Sequence, residues 1–339
     1  MSSVGRPKAS DRRPVRPCAW TAETSKFSRQ LGLLRRLVYS PSMTSAIAEA
    51  REFDVTLPDG RTLHAFEAGD PSGTLCIFHH GTPTSGVISG RTAEVAAQKG
   101  IRVVSYDRAG YGGSSRNPRR RVADVAADIA VLADTCGVDR FRTWGNSGGG
   151  PHVLACAALL GPRMIAAATV ASVAPFDANG LDFLAGMGQH NLNEFGAAIE
   201  GEAPLRAYLE KARREVLSTT PESLHQSMES LLPPVDRRVL TGDRAVAALA
   251  SMTHGLRDGI DGWTDDDLAF AKPWGFDVDG IDVPVLVLQG GMDLMVPVAH
   301  GEWLAARSDR ITSWLCPEEG HLSMDSKLAE VFEWLLEQA

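Results

Sequence analysis

The sequence predicts an α/β protein, with a mostly parallel central sheet covered by helices on both faces and interrupted by an inserted helical cap. Three observations predict it. From residue 52 onward, short apolar runs alternate with amphipathic stretches of helical period. Several of those runs are continuously apolar, as in parallel strands buried on both faces. More than a hundred residues then separate the buried strand at 165–173 from the next one at 283–288, where a simple crossover needs far fewer.

In chain order, Phe53, Val55 and Leu57 alternate with polar residues, Pro58-Asp59-Gly60 supplies a turn, and residues 62–68 return as the second arm of a hairpin. Residues 74–78 and 101–106 read as buried strands, joined by a helix near 88–98 that ends at Gly100. A helix over 121–135 places Val122, Val125, Ile129 and Leu132 on one face, stops at Gly137 and leads into a strand at 141–144. Another helix follows Ser147, and then comes the strand at 165–173. The insertion, residues 176–276, carries Leu205, Tyr208, Leu209, Ala212 and Val216 at helical spacing, with Pro204, Pro221 and Pro233-Pro234 as punctuation. A strand at 283–288, a helix at 298–307, a strand at 311–316 and a helix from Leu322 complete the sheet. The expected division is a core of residues 43–175 and 277–339, a cap of 176–276, and a basic N-terminal extension over 1–42.

Composition fits that division. Of 339 residues, 44% are hydrophobic and 22% charged, enough for a large core. The net charge of −8 is uneven, because residues 1–42 hold nine Lys or Arg against Asp11 and Glu23. The remaining body is acidic and carries no electrostatic footprint for nucleic acid. The Arg-rich extension is somewhat like an organelle transit peptide, and a start misassigned upstream of Met43 accounts for it more simply. No apolar run is long enough for a membrane span, and the five cysteines, Cys18, Cys76, Cys136, Cys156 and Cys316, lack the close pairing of a zinc or redox motif. Reduced structural thiols and a cytoplasmic location are the expectation. Nothing in the sequence encodes an oligomeric state.

The chemistry concentrates at three places. Gly145-Asn146-Ser147-Gly148-Gly149 lies between a strand and a helix, where a sharp turn needs small residues two positions on either side of the serine. Gly145 and Gly149 supply them, and the Gly148 N–H at the helix start can point toward an oxyanion. A serine hydroxyl is a poor nucleophile near neutral pH, so it needs a base, and the base needs a carboxylate to fix its tautomer. Asp293 directly follows the strand at 283–288, and His321 follows the final strand in the same way. Both can therefore emerge at one sheet edge near Ser147. Asp177, after the strand at 165–173, is a reserve for the acid. His152, on the apolar helix after Ser147, reads as a core histidine, and His190, His225 and His254 lie in the insertion without metal-ligand spacing. Neither a metal nor a cofactor is expected.

These motifs resemble those of the α/β-hydrolase superfamily, in its capped esterase, peptidase and epoxide-hydrolase-like branch, over residues 52–337. His79-His80-Gly81-Thr82-Pro83 resembles the family's H-G-x-P segment, which implies that Thr82 lends its backbone N–H to an oxyanion hole. Residues 107–114, Asp-Arg-Ala-Gly-Tyr-Gly-Gly-Ser, resemble the loop after the fourth strand, which implies a structural role for Asp107. Aspartate stands at the elbow in enzymes that open epoxides or remove halides, so Ser147 argues against both activities.

The resemblance implies a serine hydrolase acting through Ser147, Asp293 and His321 on a small or medium carboxylic ester. Phe176, Phe183 and Trp263, with Met187 and Phe195, would form an apolar wall against a small-molecule substrate. Three rivals stand beside it: a proline-iminopeptidase-like aminopeptidase, a carbon–carbon hydrolase or perhydrolase with the same triad, and a non-enzymatic ligand receptor. For the peptidase, the resemblance implies acidic cap residues that hold a substrate amine, and Asp265-Asp266-Asp267 are candidates. The simpler reading makes Thr264 an N-cap with the three carboxylates in the first helical turn.

Overall fold

The hairpin opens the sheet: β1 (Arg51–Thr56) pairs antiparallel with β2 (Thr62–Gly69), and Gly60 takes the positive φ of +86° that the turn requires. The computed structural model describes residues 46–339, so the basic stretch 1–42 and Cys18 lie outside the described residues. Beyond the hairpin come β3 (Thr74–His79), α1 (Gly90–Gln98), β4 (Ile101–Tyr106), α2 (Val125–Thr135), β5 (Phe141–Asn146), α3 (Gly150–Leu159) and β6 (Met164–Val170). After the insertion follow β7 (Val285–Gly290), α10 (Val298–Ala305), β8 (Ile311–Cys316) and α11 (Leu328–Glu337). The eight strands are ordered β1-β2-β4-β3-β5-β6-β7-β8, and every pairing from β4 to β8 is parallel.

The continuous apolar runs are buried on both faces. On β7, Val285 and Val287 pack on one face with Ile129, Leu132, Val153 and Leu304 from α2, α3 and α10. Leu286 and Leu288 pack on the other with Ala96 of α1 and with Leu328, Val331, Phe332 and Leu335 of α11. At about 25 cal/mol per Å² of apolar surface removed from water, these two layers are the main stabilising term of the fold. β8 is the edge strand, and its partly exposed residues break the apolar run.

Between β6 and β7 the chain is helical: α4 (Gln189–Glu200), α5 (Glu202–Ser218), α6 (Leu224–Ser227), α7 (Pro234–Val239), α8 (Gly242–Gly255) and α9 (Asp261–Phe270). Leu205 and Leu209, four residues apart on α5, join Ala198, Leu256, Ile260 and Trp263 in a separate apolar cluster. That cluster also takes in Tyr111 from the loop after β4, so the insertion is packed against the carboxyl edge of the sheet. One local expectation fails here. Helix α9 starts at Asp261, not after Thr264, and Thr264 is a fully buried interior residue rather than an N-cap.

Candidate active site

Ser147 stands where β5 turns into the helix, with φ = +52°. A non-glycine residue in the left-handed region costs about 1 to 2 kcal/mol, so the surroundings must impose it. They do so by crowding. A Cβ on Gly145 would lie 2.9 Å from the His79 carbonyl oxygen and from a methyl of Val153, and one on Gly149 would overlap the His79 carbonyl itself. A Cβ on Gly148 would likewise overlap the Thr82 hydroxyl. The three glycines let the chain after β3 come down onto the elbow, which brings Thr82 alongside Gly148.

Ser147, Asp293 and His321 follow β5, β7 and β8 at their carboxyl ends, so all three occupy one edge of the sheet. Asp293 and His321 are buried and hydrogen-bonded: the His321 ring is joined through Nδ1 to Asp293 Oδ2 at 2.8 Å. Asp293 is itself held, its Oδ1 accepting the N–H groups of Met295 and Val296 at 2.8 Å and its Oδ2 an N–H of Gln289 at 3.3 Å. Burial opposes a charge on His321, but the charge and hydrogen bond of Asp293, together with the charge of Asp236, outweigh it and make the imidazole more basic than usual. Asp177 is exposed on the loop after β6, whereas the carboxylate bonded to His321 belongs to Asp293.

Thr82 is tied to the insertion. Its hydroxyl donates to Asp266 Oδ2 at 2.8 Å and accepts from Arg108 Nη2 at 3.1 Å. Asp266 is fully buried, also accepts from Tyr111 (2.8 Å) and Arg108 (2.6 Å), and is ion-paired with Arg120 at 2.7 Å. Burial favours the neutral carboxyl, but Arg108 and Arg120 hold it ionised well below the usual range. Arg108 additionally donates to the carbonyls of His80 and Gly81. His152 lies against this cluster, fully buried, and burial beside Arg108 pushes its pKa down to about 4, so it is a neutral core histidine. Asp107 accepts N–H groups of Gly86 and Gly113 at 2.8 Å and pairs with His254 of the insertion at 3.0 Å, the structural duty expected of it.

The three consecutive aspartates diverge. Asp265 pairs with Arg116 at 2.7 Å, Asp266 enters the cluster above, and Asp267 lines a cavity of about 330 Å³. Ser147, Thr82 and Gly148 form part of the same cavity wall, with Phe195, Trp263, Phe270 and His190. Beside Asp267 is Glu194, which accepts from Trp263 Nε1 at 2.7 Å. Burial raises both carboxyls, and the negative charges of Glu194 and Asp266 push Asp267 further up, so the pair holds a proton more tightly than exposed carboxylates do. Asp267 Oδ2 is buried without a hydrogen-bond partner.

Of the expected apolar wall, Trp263 and Phe195 reach the cavity. Phe176 and Phe183 do not. Phe183 is buried against Phe176, Phe195 and the His300 ring, where it joins the insertion to α10. Glu194, Asp236, Arg108 and Arg120 were not singled out in the sequence. The one available signal was a charged residue within an apolar context, as in Leu192-Asn193-Glu194-Phe195. Among the described residues no group of three or more His, Cys, Asp or Glu is placed to hold a metal ion, and no helix is long and apolar enough to cross a membrane.

Comparison with known proteins agrees with this architecture. The chain is 26% identical over 251 residues to a non-heme chloroperoxidase of Streptomyces lividans, covering 72% of this chain and 83% of that protein. The crystal structure of a bromoperoxidase from Bacillus anthracis superposes with a TM-score of 0.60 at 18% identity, over 85% of this chain and all of the other. A thermophilic esterase from Thermogutta terrifontis, its structure solved with malate bound, gives 0.59 at 21% identity, over 86% and 99%. A family model described as the alpha/beta hydrolase fold matches residues 75–328, and the chain belongs to that family.

Proposed function

We propose that the protein is a serine hydrolase that cleaves a small or medium carboxylic ester through an acyl-enzyme on Ser147. The observation that carries this reading is Ser147 itself, held at φ = +52° on the wall of the cavity, on the same sheet edge as the hydrogen-bonded His321–Asp293 pair. With Nδ1–H donated to Asp293, the His321 ring has Nε2 as its basic nitrogen. His321 takes the Ser147 proton as the oxygen attacks the carbonyl, and the imidazolium is stabilised by Asp293. The N–H groups of Thr82 and Gly148 receive the oxyanion. Collapse of the tetrahedral intermediate expels the alcohol, which takes the proton from His321. Water, deprotonated by the same ring, then releases the acid and restores Ser147. The helical insertion, residues 176–276, acts as the cap that closes the cavity, with Phe195, Trp263 and Phe270 as apolar wall.

The test is hydrolysis of p-nitrophenyl acetate and butyrate, together with labelling by a fluorophosphonate probe. Wild type is expected to do both and Ser147→Ala neither; activity that survives in Ser147→Ala removes the assignment. A parallel assay with hydrogen peroxide and bromide covers the haloperoxidase names among the relatives, in which peroxide would replace water as acyl acceptor.

A second reading is favoured by one observation, the proton-retaining Glu194–Asp267 pair on the cavity wall. A protonated amine on the substrate would give the partnerless Asp267 oxygen a donor and favour the ionised form of the pair, which fits an aminopeptidase-like preference. If this reading holds, prolyl and alanyl naphthylamides are cleaved better than short esters, and Asp267→Asn removes that preference while ester cleavage persists.

A further inference from the structure

Asp236 lies in α7 of the insertion, 85 residues before His321 in sequence, and is fully buried. Its carboxylate accepts three consecutive backbone N–H groups of the loop after β8: His321 at 2.7 Å, Leu322 at 3.0 Å and Ser323 at 2.9 Å. A Cβ on Gly320 would lie 2.5 Å from Asp236 Oδ2 and 2.6 Å from the other two carboxylate atoms, so residue 320 is glycine where this carboxylate seats. The Ser323 hydroxyl closes the arrangement by accepting the Gly320 N–H at 2.8 Å.

We propose that Asp236 is a positioning residue for His321, reaching from the insertion to fix the peptide from which the imidazole springs. The inference rests on the serine-hydrolase reading for its consequence in turnover, but not for its geometry.

The arrangement does more than stop a helix. The short turn that begins at Ser323 needs one acceptor for its first free N–H groups, and a local side chain ordinarily supplies it. Here the acceptor is a carboxylate from another part of the chain, and it holds the His321 N–H first. Any movement of α7 is therefore passed directly to the residue that must share a proton with Ser147. The second consequence is electrostatic. The charged groups acting on His321 are Asp293, from the loop after β7, and Asp236, from α7. Of the other charges near the segment, Asp325 pairs with Arg91 and Arg244, Lys327 pairs with Glu330, Glu318 is exposed, Glu319 is half-buried, and Arg237 is turned to the Leu232 carbonyl and Glu229. His300, on α10, is neutral, its pKa pushed down to about 4 by burial. Asp236 thus adds to Asp293 a second negative charge that favours an imidazolium at residue 321.

Asp236→Asn and Gly320→Ala perturb the contact from its two sides. The first removes the charge, and the second drives a methyl into the carboxylate. Turnover of p-nitrophenyl butyrate, normalised to sites titrated with a fluorophosphonate, is expected to fall about tenfold to a hundredfold with KM within twofold. The acidic limb of kcat/KM is expected to move to lower pH in Asp236→Asn, because removing an anion makes His321 less basic. A helix stop without influence on the histidine would lower the melting temperature and leave both the limb and the per-site kcat in place, and that result overturns the proposal. Titration of the His321 ring by NMR in Ser147→Ala and in Ser147→Ala/Asp236→Asn needs no turnover. A lower ring pKa in the double variant sustains the proposal even if the hydrolase reading fails, and an unchanged one overturns it even if that reading stands.

Discussion

Replacing Asp266 should be the most damaging single change outside the residues that react. The carboxylate is fully buried, takes hydrogen bonds from the Arg108 guanidinium and from the hydroxyls of Tyr111 and Thr82 at 2.6 to 2.8 Å, and is ion-paired with Arg120 at 2.7 Å. Asp266→Leu leaves Arg108 and Arg120 as buried cations without an anion. Breaking a buried pair in this way costs about 3 to 5 kcal/mol, and each orphaned hydroxyl adds about 1 kcal/mol or more. A loss of about 5 kcal/mol is a third or more of the stability of an ordinary domain and lowers the melting temperature by roughly 10 to 20 °C. Asp266→Asn keeps an acceptor of the same shape and should lose about 3 kcal/mol. Arg120→Met should be milder, because Nε and Nη1 of Arg120 already lack partners. In urea melts the double variant Asp266→Asn/Arg120→Met should be less destabilised than the two single effects added together, by about 1 kcal/mol or more. Asp266→Asn within 1 kcal/mol of wild type, or strict additivity of the pair, would refute the reasoning, since either means that the cluster does not act as a unit.

Four further outcomes follow from the site. Ser147→Gly should be more stable than Ser147→Ala by about 0.5 to 1 kcal/mol in calorimetry, because glycine accepts φ = +52° without a Cβ clash while its freer unfolded chain offsets part of the gain. Asp293→Asn should lower kcat for p-nitrophenyl butyrate by about 10⁴, since the amide imposes the wrong imidazole tautomer; Asp177→Asn should leave it near wild type. Because His321 is held more basic than an ordinary histidine, whose pKa is about 6.5, the rate should fall as pH drops through a midpoint above that value. The same shift makes the contribution of His321 to stability fully present below its unfolded pKa and lost as pH rises through the folded one, a sign that urea melts between pH 5 and 9 can check.

What could be read from the sequence was whatever is encoded locally. The run Val285-Leu286-Val287-Leu288 announces a strand covered on both faces, because a strand with one wet face must alternate. Gly145 and Gly149 announce a crowded elbow around Ser147, because no larger residue clears the His79 carbonyl. Asp293 and His321 are legible because each comes straight after a strand whose end points at the same edge. Thr264 misled because serine and threonine before an acidic triplet are a sound local N-cap signal, and tertiary partners overrode it. Arg116, Arg108 and the cavity draw Asp265, Asp266 and Asp267 in three directions from a helix that begins three residues earlier than Thr264. Phe176 and Phe183 misled for a related reason: an apolar residue in an amphipathic insertion carries no mark that separates a core wall from a cavity wall.

The contacts that hold the site together are those that sequence order hides. Asp236 reaches the His321 peptide, Asp266 reaches the Thr82 hydroxyl, and His254 reaches Asp107, over separations of 85, 184 and 147 residues. Each begins in the helical insertion and ends on a loop at the carboxyl edge of the sheet, and two of the three involve carboxylates that are fully buried within the insertion. A loop residue fixed only by its own turn would keep its place if the insertion moved. Thr82 and His321 are instead fixed from the insertion, so displacement of α7 or α9 must disturb the Thr82 loop and the His321 loop along with the cavity. The cavity-lining residues of α9, Trp263 and Asp267, are thereby linked through neighbouring Asp266 to the groups proposed to perform the reaction.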